Sequence, residues 1–336
     1  MNRLVPAALV AAVAGLAGTA AHAQETPRIY GLLDVAAGRF ETPGTPATKR
    51  LLNGGMSTSF LGVSGSDDLG GGLRARFGLE AYLRVDEGAA GRSAADAFWS
   101  RTAYVGLQGA FGTSLLGRLP TPLWLSTTMF NPFGNSEAFS PAIRQYFGAA
   151  ILGDSRWNNS VGYSSPAVDD GLRWNVQFNA AENSPNATGE NVGVNALYSS
   201  GPFSVTGAWQ RVRNSTTPLP AGFSKQDAYQ LGASYELRHV RMYGQAGQVK
   251  TRAAADVETT LYQLGAVVPL GLGFVMASYG HSREDSAGSE LLRRTFSMGY
   301  DYFLSKSTDL YAVFMSERVT GLDSGNTVAA GVRLRF

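Results

Sequence analysis

Two histidines are the side chains best suited to base catalysis in the body of the chain. A hydrolytic centre uses a base, most often histidine, beside a serine or a carboxylate. His239 stands at a short turn, LRHV, and His281 stands in GHSRED beside Ser282, Glu284 and Asp285. Neighbouring residues of a strand point in opposite directions, so this run is typical of a solvated loop. We therefore expect no catalytic centre.

The rest of the composition argues against bound cofactors, metals and nucleic acid. The chain has no cysteine, which excludes a disulfide framework and a thiolate metal site. The triple glycine Gly70–Gly72 indicates a turn, because no crossover helix follows it to form a phosphate-binding loop. With 28 Lys and Arg against 26 Asp and Glu, the chain lacks the excess of basic charge that is typical of nucleic-acid binding.

Arginines recur instead on one face of alternating segments. In LRARFGLEAYL, residues 73–83, Arg74 and Arg76 share the polar face opposite Phe77 and Leu79. The same period of two occurs in GLRWNVQFNA, FSVTGAW, YQLGASYE, NVGVNALY and TFSMGY. This period predicts β-strands with one apolar and one polar face.

Two kinds of all-β protein contain such strands. In a soluble sandwich, such as an exported binding module, the apolar face is buried between two sheets. In a transmembrane barrel the apolar face meets lipid and the polar face lines a water-filled lumen. The barrel also explains why short turns alternate with longer polar links. Beyond the N-terminal segment, no run of 18 apolar residues is present, which excludes a helical membrane protein.

The N-terminal segment predicts export. Arg3 precedes an apolar stretch, Leu4–Ala20, and Ala21-His22-Ala23 forms a cleavage signal. We expect residues 1–23 to be a signal peptide that is removed after Ala23. Residues 24–336 then form the barrel.

The alternation of short turns and longer links predicts sixteen antiparallel strands that close into this barrel. An even number brings both ends of the chain to the same side, and a barrel of sixteen strands leaves an aqueous channel. The predicted strands are 28–38, 58–66, 72–84, 97–108, 113–118, 158–165, 172–180, 190–198, 203–213, 226–236, 239–250, 257–267, 273–282, 291–300, 308–317 and 325–336. The longer links are 39–57, 85–96, 181–190, 213–226, 250–257, 281–290 and 317–325.

One connection, residues 119–157, is too long for a hairpin. It contains four prolines and seven aromatic residues, too many apolar side chains for a disordered segment. If it projected outward, those side chains would be exposed to water. We therefore expect this third loop to fold into the lumen and narrow the pore.

Several stretches resemble the trimeric general porins of Gram-negative outer membranes, particularly the betaproteobacterial type. They are IYGLLDVAAGRF, STSFLGVSGSDDLGGGLRARFGLE, AYVGLQGAFGTSLLGRLPTP, RWNNSVGYSSP and the terminal GVRLRF. The resemblance implies a 16-stranded homotrimer in contact with outer-membrane lipid and inserted by the barrel-assembly machinery. It also implies that the third loop lies inside each barrel.

The resemblance places a constriction between the third loop and a wall of arginines. Pro132-Phe133-Gly134 resembles the Pro-x-Phe-Gly motif at the tip of that loop, without the acid often found within it. The remaining acids of the loop are Glu137 and Asp154, set against Arg144 and Arg156.

On the opposite wall, Arg118 and Arg156 match the family's arginines by motif. Arg74 and Arg76 face the lumen by alternation. Arg118 requires a local bulge at Gly117 to point inward.

Two positions depart from the family's pattern of arginines on the pore wall. Family members often have Ser-Arg-Leu-Gly where this chain has Ser59-Phe60-Leu61-Gly62, so one wall arginine is lost. Arg101 shares its parity with Val105 and Leu107, and strict alternation points it at lipid.

The expected function is passive diffusion of small hydrophilic solutes and inorganic ions through the constricted pore. Size exclusion and the field between the arginines and the loop carboxylates would control passage. Because acids are scarce on the loop, we expect a mild anion preference.

The chain ends in GNTVAAGVRLRF, which alternates up to the last residue. This segment predicts the closing strand, which pairs with the first strand so that no sheet edge remains in the membrane. Its apolar side chains Val328, Ala330, Val332 and Leu334 would meet lipid. The resemblance adds that Phe336 is the signal recognised by the assembly machinery.

Overall fold

The computed structural model describes residues 26–168, 171–180 and 187–336, so the expected signal peptide at 1–23 lies outside the described residues. One continuous sheet dominates the fold. Its strands are β1 (Arg28–Phe40), β2 (Thr48–Asn53), β3 (Phe60–Gly70), β4 (Leu73–Arg84), β5 (Ala89–Ala90), β6 (Thr102–Gly109), β7 (Gly112–Pro120), β8 (Arg156–Ser164), β9 (Leu172–Asn179), β10 (Asn191–Ser200), β11 (Phe203–Val212), β12 (Lys225–Leu237), β13 (Val240–Arg252), β14 (Val257–Leu270), β15 (Gly273–Ser286), β16 (Ser289–Phe303), β17 (Thr308–Val319) and β18 (Gly325–Arg335).

These segments form a closed barrel of sixteen antiparallel strands, which confirms the predicted fold. Strand β1 pairs with β18 and closes the sheet. Strands β2 and β3 pair with the two halves of β1 and are therefore two parts of one barrel strand. Strand β5 is a two-residue extension that pairs only with the end of β4. The predicted link at 39–57 is wrong over residues 48–53, which pair with β1 as part of this strand before it is interrupted at residues 54–59.

The two faces of the sheet have the polarity of a membrane barrel. Large apolar side chains on one face are exposed, with Leu231 at 66% and Leu264 at 70%. Polar side chains on the other face are buried, and Gln210 and Gln226 have no exposed surface. A soluble sandwich would show the reverse arrangement. Among the described residues, no helix has the length and apolarity needed to cross a membrane.

The prediction of a long link at 281–290 is wrong. Strands β15 and β16 continue as a hairpin, and Ser286 pairs directly with Ser289. Ala287 and Gly288 form the turn with positive φ values of 40° and 86°, as a tight two-residue hairpin turn requires. The segment has the composition of a loop because both of its faces are polar, although it continues to pair as a strand.

The third loop occupies residues 121–155, slightly less than the predicted 119–157. It contains α1 (Pro122–Met129) and α2 (Pro141–Gln145), and a single π-helical turn follows at Tyr146–Ala150. Each α-helix begins with a hydroxyl cap and a proline. The Oγ1 of Thr121 accepts from the N–H of Trp124, and the Oγ of Ser140 accepts from the N–H of Ile143. The loop is therefore a folded element.

The C-terminal residue lies at the seam between β18 and β1. The backbone of Phe336 exchanges two hydrogen bonds with Gly31, at 3.0 and 3.1 Å. The ring of Phe336 lies against the position that a side chain at residue 31 would occupy. A Cβ there would be 2.6 Å from Phe336 Cζ and 2.7 Å from the carbonyl oxygen of Phe60. Only glycine allows this ring position without a shift.

We expect Gly31→Ala to weaken the seam by about 1–3 kcal/mol, the usual cost of overpacking a tight site. The measurement is the temperature at which the folded protein converts to the unfolded form during heating in SDS. Gly207→Ala is the matched control, because a Cβ at that strand position meets only Leu231 at 3.6 Å. Equal conversion temperatures for the two variants would contradict the packing argument.

Candidate functional site

The third loop packs against the polar face of the sheet through two apolar clusters. The first cluster joins loop side chains to strands β11 to β14 and contains Leu123, Tyr146, Ala150, Ile151, Ala208, Ala228, Val249 and Leu261. The second joins the loop to β1, β15, β17 and β18 and contains Ala36, Phe40, Met56, Phe133, Phe139, Met276, Tyr311, Val313 and Ala329. Because these strands lie on different sides of a closed barrel, the loop crosses its interior.

Amide side chains of the strands bind the loop backbone. Asn195 donates to the carbonyl of Pro122 at 3.2 Å, and Gln245 donates to the carbonyl of Phe130 at 2.8 Å. Gln226 donates to the carbonyl of Ala150 at 3.0 Å. Loops have few backbone partners of their own, so inward amides satisfy groups that would otherwise be buried without a hydrogen bond. This is why the polar face is rich in Asn and Gln.

The tip of the loop binds the interruption in the second barrel strand. The hydroxyl of Ser136 donates to the carbonyl of Gly55 at 2.6 Å. Ser57 donates to the side chain of Asn135 at 3.2 Å. Residues 54–59 therefore bind the tip of the loop. These contacts explain why the segment does not continue the regular strand.

The motif residues Pro132, Phe133 and Gly134 serve this packing. Phe133 is only 2% exposed and belongs to the second apolar cluster. Gly134 has a positive φ of 53° in the turn that follows. Pro132 packs against the backbone at Gly265, where a Cβ would lie 2.5 Å from its Cγ. These residues hold the loop, and Pro132 and Gly134 remain half-buried.

Arg144 also anchors the loop. Its guanidinium pairs with Glu317 of β17 at 2.7 Å, and Glu317 pairs with Arg293 of β16 at 2.8 Å. Glu317 is 1% exposed, so Arg144 neutralises a buried wall carboxylate. No local pattern in the sequence indicates this pair, because its partners are separated by 173 positions.

Arg118 faces the lumen, and the bulge that this orientation requires is present. The pairing of β7 with β8 shifts register between Gly117 and Leu119, and Gly117 has a φ of 140°. Arg118 donates to Asp154 at 2.5 Å and to the carbonyl of Ser100 at 2.6 Å. The wall and the end of the loop are thus joined by an ion pair.

Arg92, which no sequence pattern indicated, completes this cluster. It donates to both oxygens of Asp154, at 3.0 and 2.9 Å, and also pairs with Asp96 at 3.0 Å. Burial alone would raise the pKa of Asp154, but Arg92 and then Arg118 outweigh it and hold that pKa at about 2. One carboxylate is therefore shared by two guanidinium groups.

Arg156 lies between two aromatic rings. Its guanidinium carbon is 5.3 Å from the centre of Tyr82 and 5.2 Å from the centre of Trp124. The side chain is 5% exposed and donates to Ser155 at 2.8 Å. It forms no ion pair with any carboxylate of the described residues. Cation–π contacts thus take the place of a counter-ion.

Arg101 faces the lumen, contrary to strict alternation. Its guanidinium lies 3.9 Å from the centre of the Phe60 ring and pairs with Glu80. Strand β6 begins only at Thr102, so Arg101 precedes the regular alternation. Phe60, at the position where the family often has an arginine, therefore contacts another arginine, which lies just before β6 on the far side of β4.

Arg74 and Arg76 lie away from this cluster. Arg74 is the second residue of β4, next to the short turn at Gly71 and Gly72. At about 3.3 Å per residue, the two arginines are roughly 26 and 20 Å along the strand from Tyr82. The structure places them at the short-turn mouth of the barrel and not on the constriction wall, where they were expected.

A cavity of about 680 Å³ is lined by both the arginine cluster and the loop. Its lining includes Arg92 and Arg118 together with Glu137, Phe147 and Trp124 of the loop. The Glu137 carboxylate is exposed to the cavity and makes no hydrogen bond or ion pair with the described part of the chain. The surrounding protein reduces its hydration and raises its pKa, an effect that Arg92 and Arg156 only partly offset.

A closed barrel with a polar interior, narrowed by a loop and lined by charges, defines a water-filled membrane channel. The comparisons agree with this class. Residues 7–322 match the Gram-negative porin family, and the chain belongs to that family. As a member it is a channel protein of the outer membrane and not an enzyme, as the sequence predicted.

Similar proteins cover the chain almost completely. Outer membrane porin protein 32 of Delftia acidovorans is 28% identical over 97% of this chain and 94% of its own length. An outer membrane porin protein of Bordetella pertussis is 26% identical over 99% of this chain and 98% of its own length. The structure of an anion-selective porin from Comamonas acidovorans superposes with a TM-score of 0.80 at 26% identity, covering 93% of this chain and 99% of that one.

We expect acidification from pH 7 to about pH 4.5 to increase the preference for anions, because Glu137 protonates above the usual range of a glutamate near 4.3. Asp154, with its pKa at about 2, stays charged throughout. Its contribution to stability is complete above the unfolded pKa near 3.9 and is lost only as pH falls toward 2.

The measurement is the zero-current potential across a planar bilayer under a KCl gradient at each pH. Glu137→Gln should show the stronger anion preference already at pH 7 and little further change on acidification. A wild-type pH shift that persists in Glu137→Gln would assign the titration to another group.

Proposed function

We propose that this porin admits small hydrophilic solutes and inorganic ions by passive diffusion with a mild preference for anions. The preference for anions is inferred from the ion pairs of Asp154, whose single carboxylate binds both Arg92 and Arg118. Arg92 and Arg118 together meet only this acid and Asp96, and Arg156 has no carboxylate partner among the described residues. The anion-selective porin from Comamonas acidovorans, a structural neighbour, supports the same sign.

The preference is mild because acids nearly balance the arginines. Glu80 neutralises Arg101, and the Glu137 carboxylate, which has no ion-pair partner among the described residues, lines the same cavity as Arg92 and Arg118. Charges inside a lumen with low-dielectric walls act over a longer range than charges at an open surface.

We expect Arg118→Glu to change the zero-current potential of the bilayer toward cation preference, because the change adds two negative units and leaves Asp154 with one partner. Arg118→Gln should give a smaller shift of the same sign. The control is Arg294→Glu, the same charge change on the outer face of β16, where the side chain is exposed. A wild type that is already cation-selective would refute the proposed sign.

The proposed assembly is a homotrimer in the outer membrane, in contact with lipid through the exposed apolar face and inserted by the barrel-assembly machinery. The family resemblance supports the trimer. The resemblance also supports the role of Phe336 as an assembly signal, and the residue is accessible, with 55% of its surface exposed.

We expect deletion of Phe336 to reduce the amount of SDS-resistant trimer in the outer membrane more than it alters the conductance of channels that do form. A signal acts during insertion, whereas the pore is lined by other residues. Quantitative gels of membrane fractions and single-channel recordings give the two values. An unchanged trimer yield would remove the signal role and leave the pairing of β18 with β1 intact.

A further inference from the structure

One aromatic side chain of the pore wall, Tyr82, contacts three of the arginines that surround the constriction. Its ring centre lies 5.2 Å from the guanidinium carbon of Arg92, 5.3 Å from that of Arg156 and 6.0 Å from that of Arg101. We infer that Tyr82 is a positioning residue for ion selectivity, which holds these guanidinium groups at the constriction without neutralising them. This role rests on the proposed channel function and names a residue that arranges its charges.

Contact with several arginines is particular to Tyr82. Arg92 follows β5, Arg101 precedes β6 and Arg156 begins β8, so segments that are distant in sequence meet on one side chain of β4. Within the part of the chain that the structure describes, five other rings contact an arginine, and each contacts only one. They are Phe40, Phe60, Trp124, Trp209 and Tyr243.

The Tyr82 ring is buried and its backbone is fixed. Tyr82 is 1% exposed, and Arg156 beside it is 5% exposed. The carbonyl of Tyr82 accepts a hydrogen bond from the N–H of Gly91 at 2.7 Å, which brings the next residue, Arg92, close to the ring. Cation–π contacts are stronger when water is excluded from them. The guanidinium groups are therefore held in place before an ion arrives.

An aromatic ring differs from an acid in what it does to the charge that it holds. It attracts a cation through its quadrupole and adds no net negative charge. A carboxylate neutralises its partner, as Glu80 does for Arg101. The difference is greatest for Arg156, which has no carboxylate partner among the described residues. Because like charges repel one another, we expect Arg156 to move away from the other arginines when the ring is removed.

The test compares zero-current potentials of the full protein in planar bilayers under a KCl gradient. Tyr82→Leu removes the ring and should shift the potential toward cation preference, because Arg156 loses one of its two aromatic partners. Tyr82→Phe keeps the ring and should behave like the wild type. Tyr235→Leu is the matched control, since it makes the same change on the outer face of β12, where Tyr235 is 45% exposed.

A double variant distinguishes positioning from a general loss of structure. Arg156→Gln alone should shift the potential toward cation preference. Tyr82→Leu should then add a smaller shift to Arg156→Gln than it produces in the wild type, because the two residues act through the same guanidinium group. A general distortion of the pore would instead add its full shift in both backgrounds and change the single-channel conductance.

Conducting Tyr82→Leu channels with the wild-type potential would overturn this role, and so would Tyr82→Phe channels that shift as far as Tyr82→Leu. Tyr82→Met, with a flexible apolar side chain, serves as the second variant without a ring. If neither variant assembled whereas Tyr82→Phe did, the ring would be required for folding and the positioning role would be refuted. A wild type that prefers cations would refute the proposed preference, but it would leave the shift between variants as the measure of Tyr82.

Discussion

The requirement that every backbone N–H and C=O within the membrane be paired shapes this protein more than any single contact. Lipid offers no hydrogen bonds, so the sheet must close, and β1 must pair with β18. Closure fixes one face toward lipid and the other toward the interior, and the alternation of the sequence follows from that division. It also brings inward charges together at the seam, where Arg333 binds Asp301 at 2.7 Å and Asp309 at 3.0 Å.

The seam and the constriction share side chains. Asp34 of β1 accepts hydrogen bonds from the N–H groups of Gly55 and Ser57 and from the hydroxyl of Tyr311. These bonds hold the interrupted segment 54–59, on which the tip of the third loop rests. The position of the loop therefore depends on the same residues that join the first strand to β17 and β18. Barrel closure and pore width are coupled through one buried carboxylate.

The sequence was sufficient for the features that depend on local pattern. Period-two alternation predicted the strands, their number and the closing strand, and the aromatic content of residues 119–157 distinguished a folded loop from a disordered one.

The pairing of Arg144 with Glu317 and of Arg92 with Asp154 could not be predicted, because the partners are separated by 173 and 62 positions. Arg101 was ambiguous because alternation applies only within a regular strand, and β6 begins one residue later. The hairpin at Ala287 and Gly288 was missed because a strand that is polar on both faces has the composition of a loop.

Selectivity in such a pore follows from which charges are paired, more than from how many are present. A count of the arginines and acids near the constriction gives near equality, which alone would predict no preference. The ion pairs distinguish these charges from one another. The single carboxylate of Asp154 pairs with both Arg92 and Arg118, whereas Arg156 lies between aromatic rings that take the place of a counter-ion. Glu137, in contrast, remains free on the loop side. The charges without an ion-pair partner among the described residues are thus Arg156, buried between two aromatic rings, and Glu137, exposed on the loop. The field that acts on a permeating ion depends on these two unpaired groups more than on the paired ones.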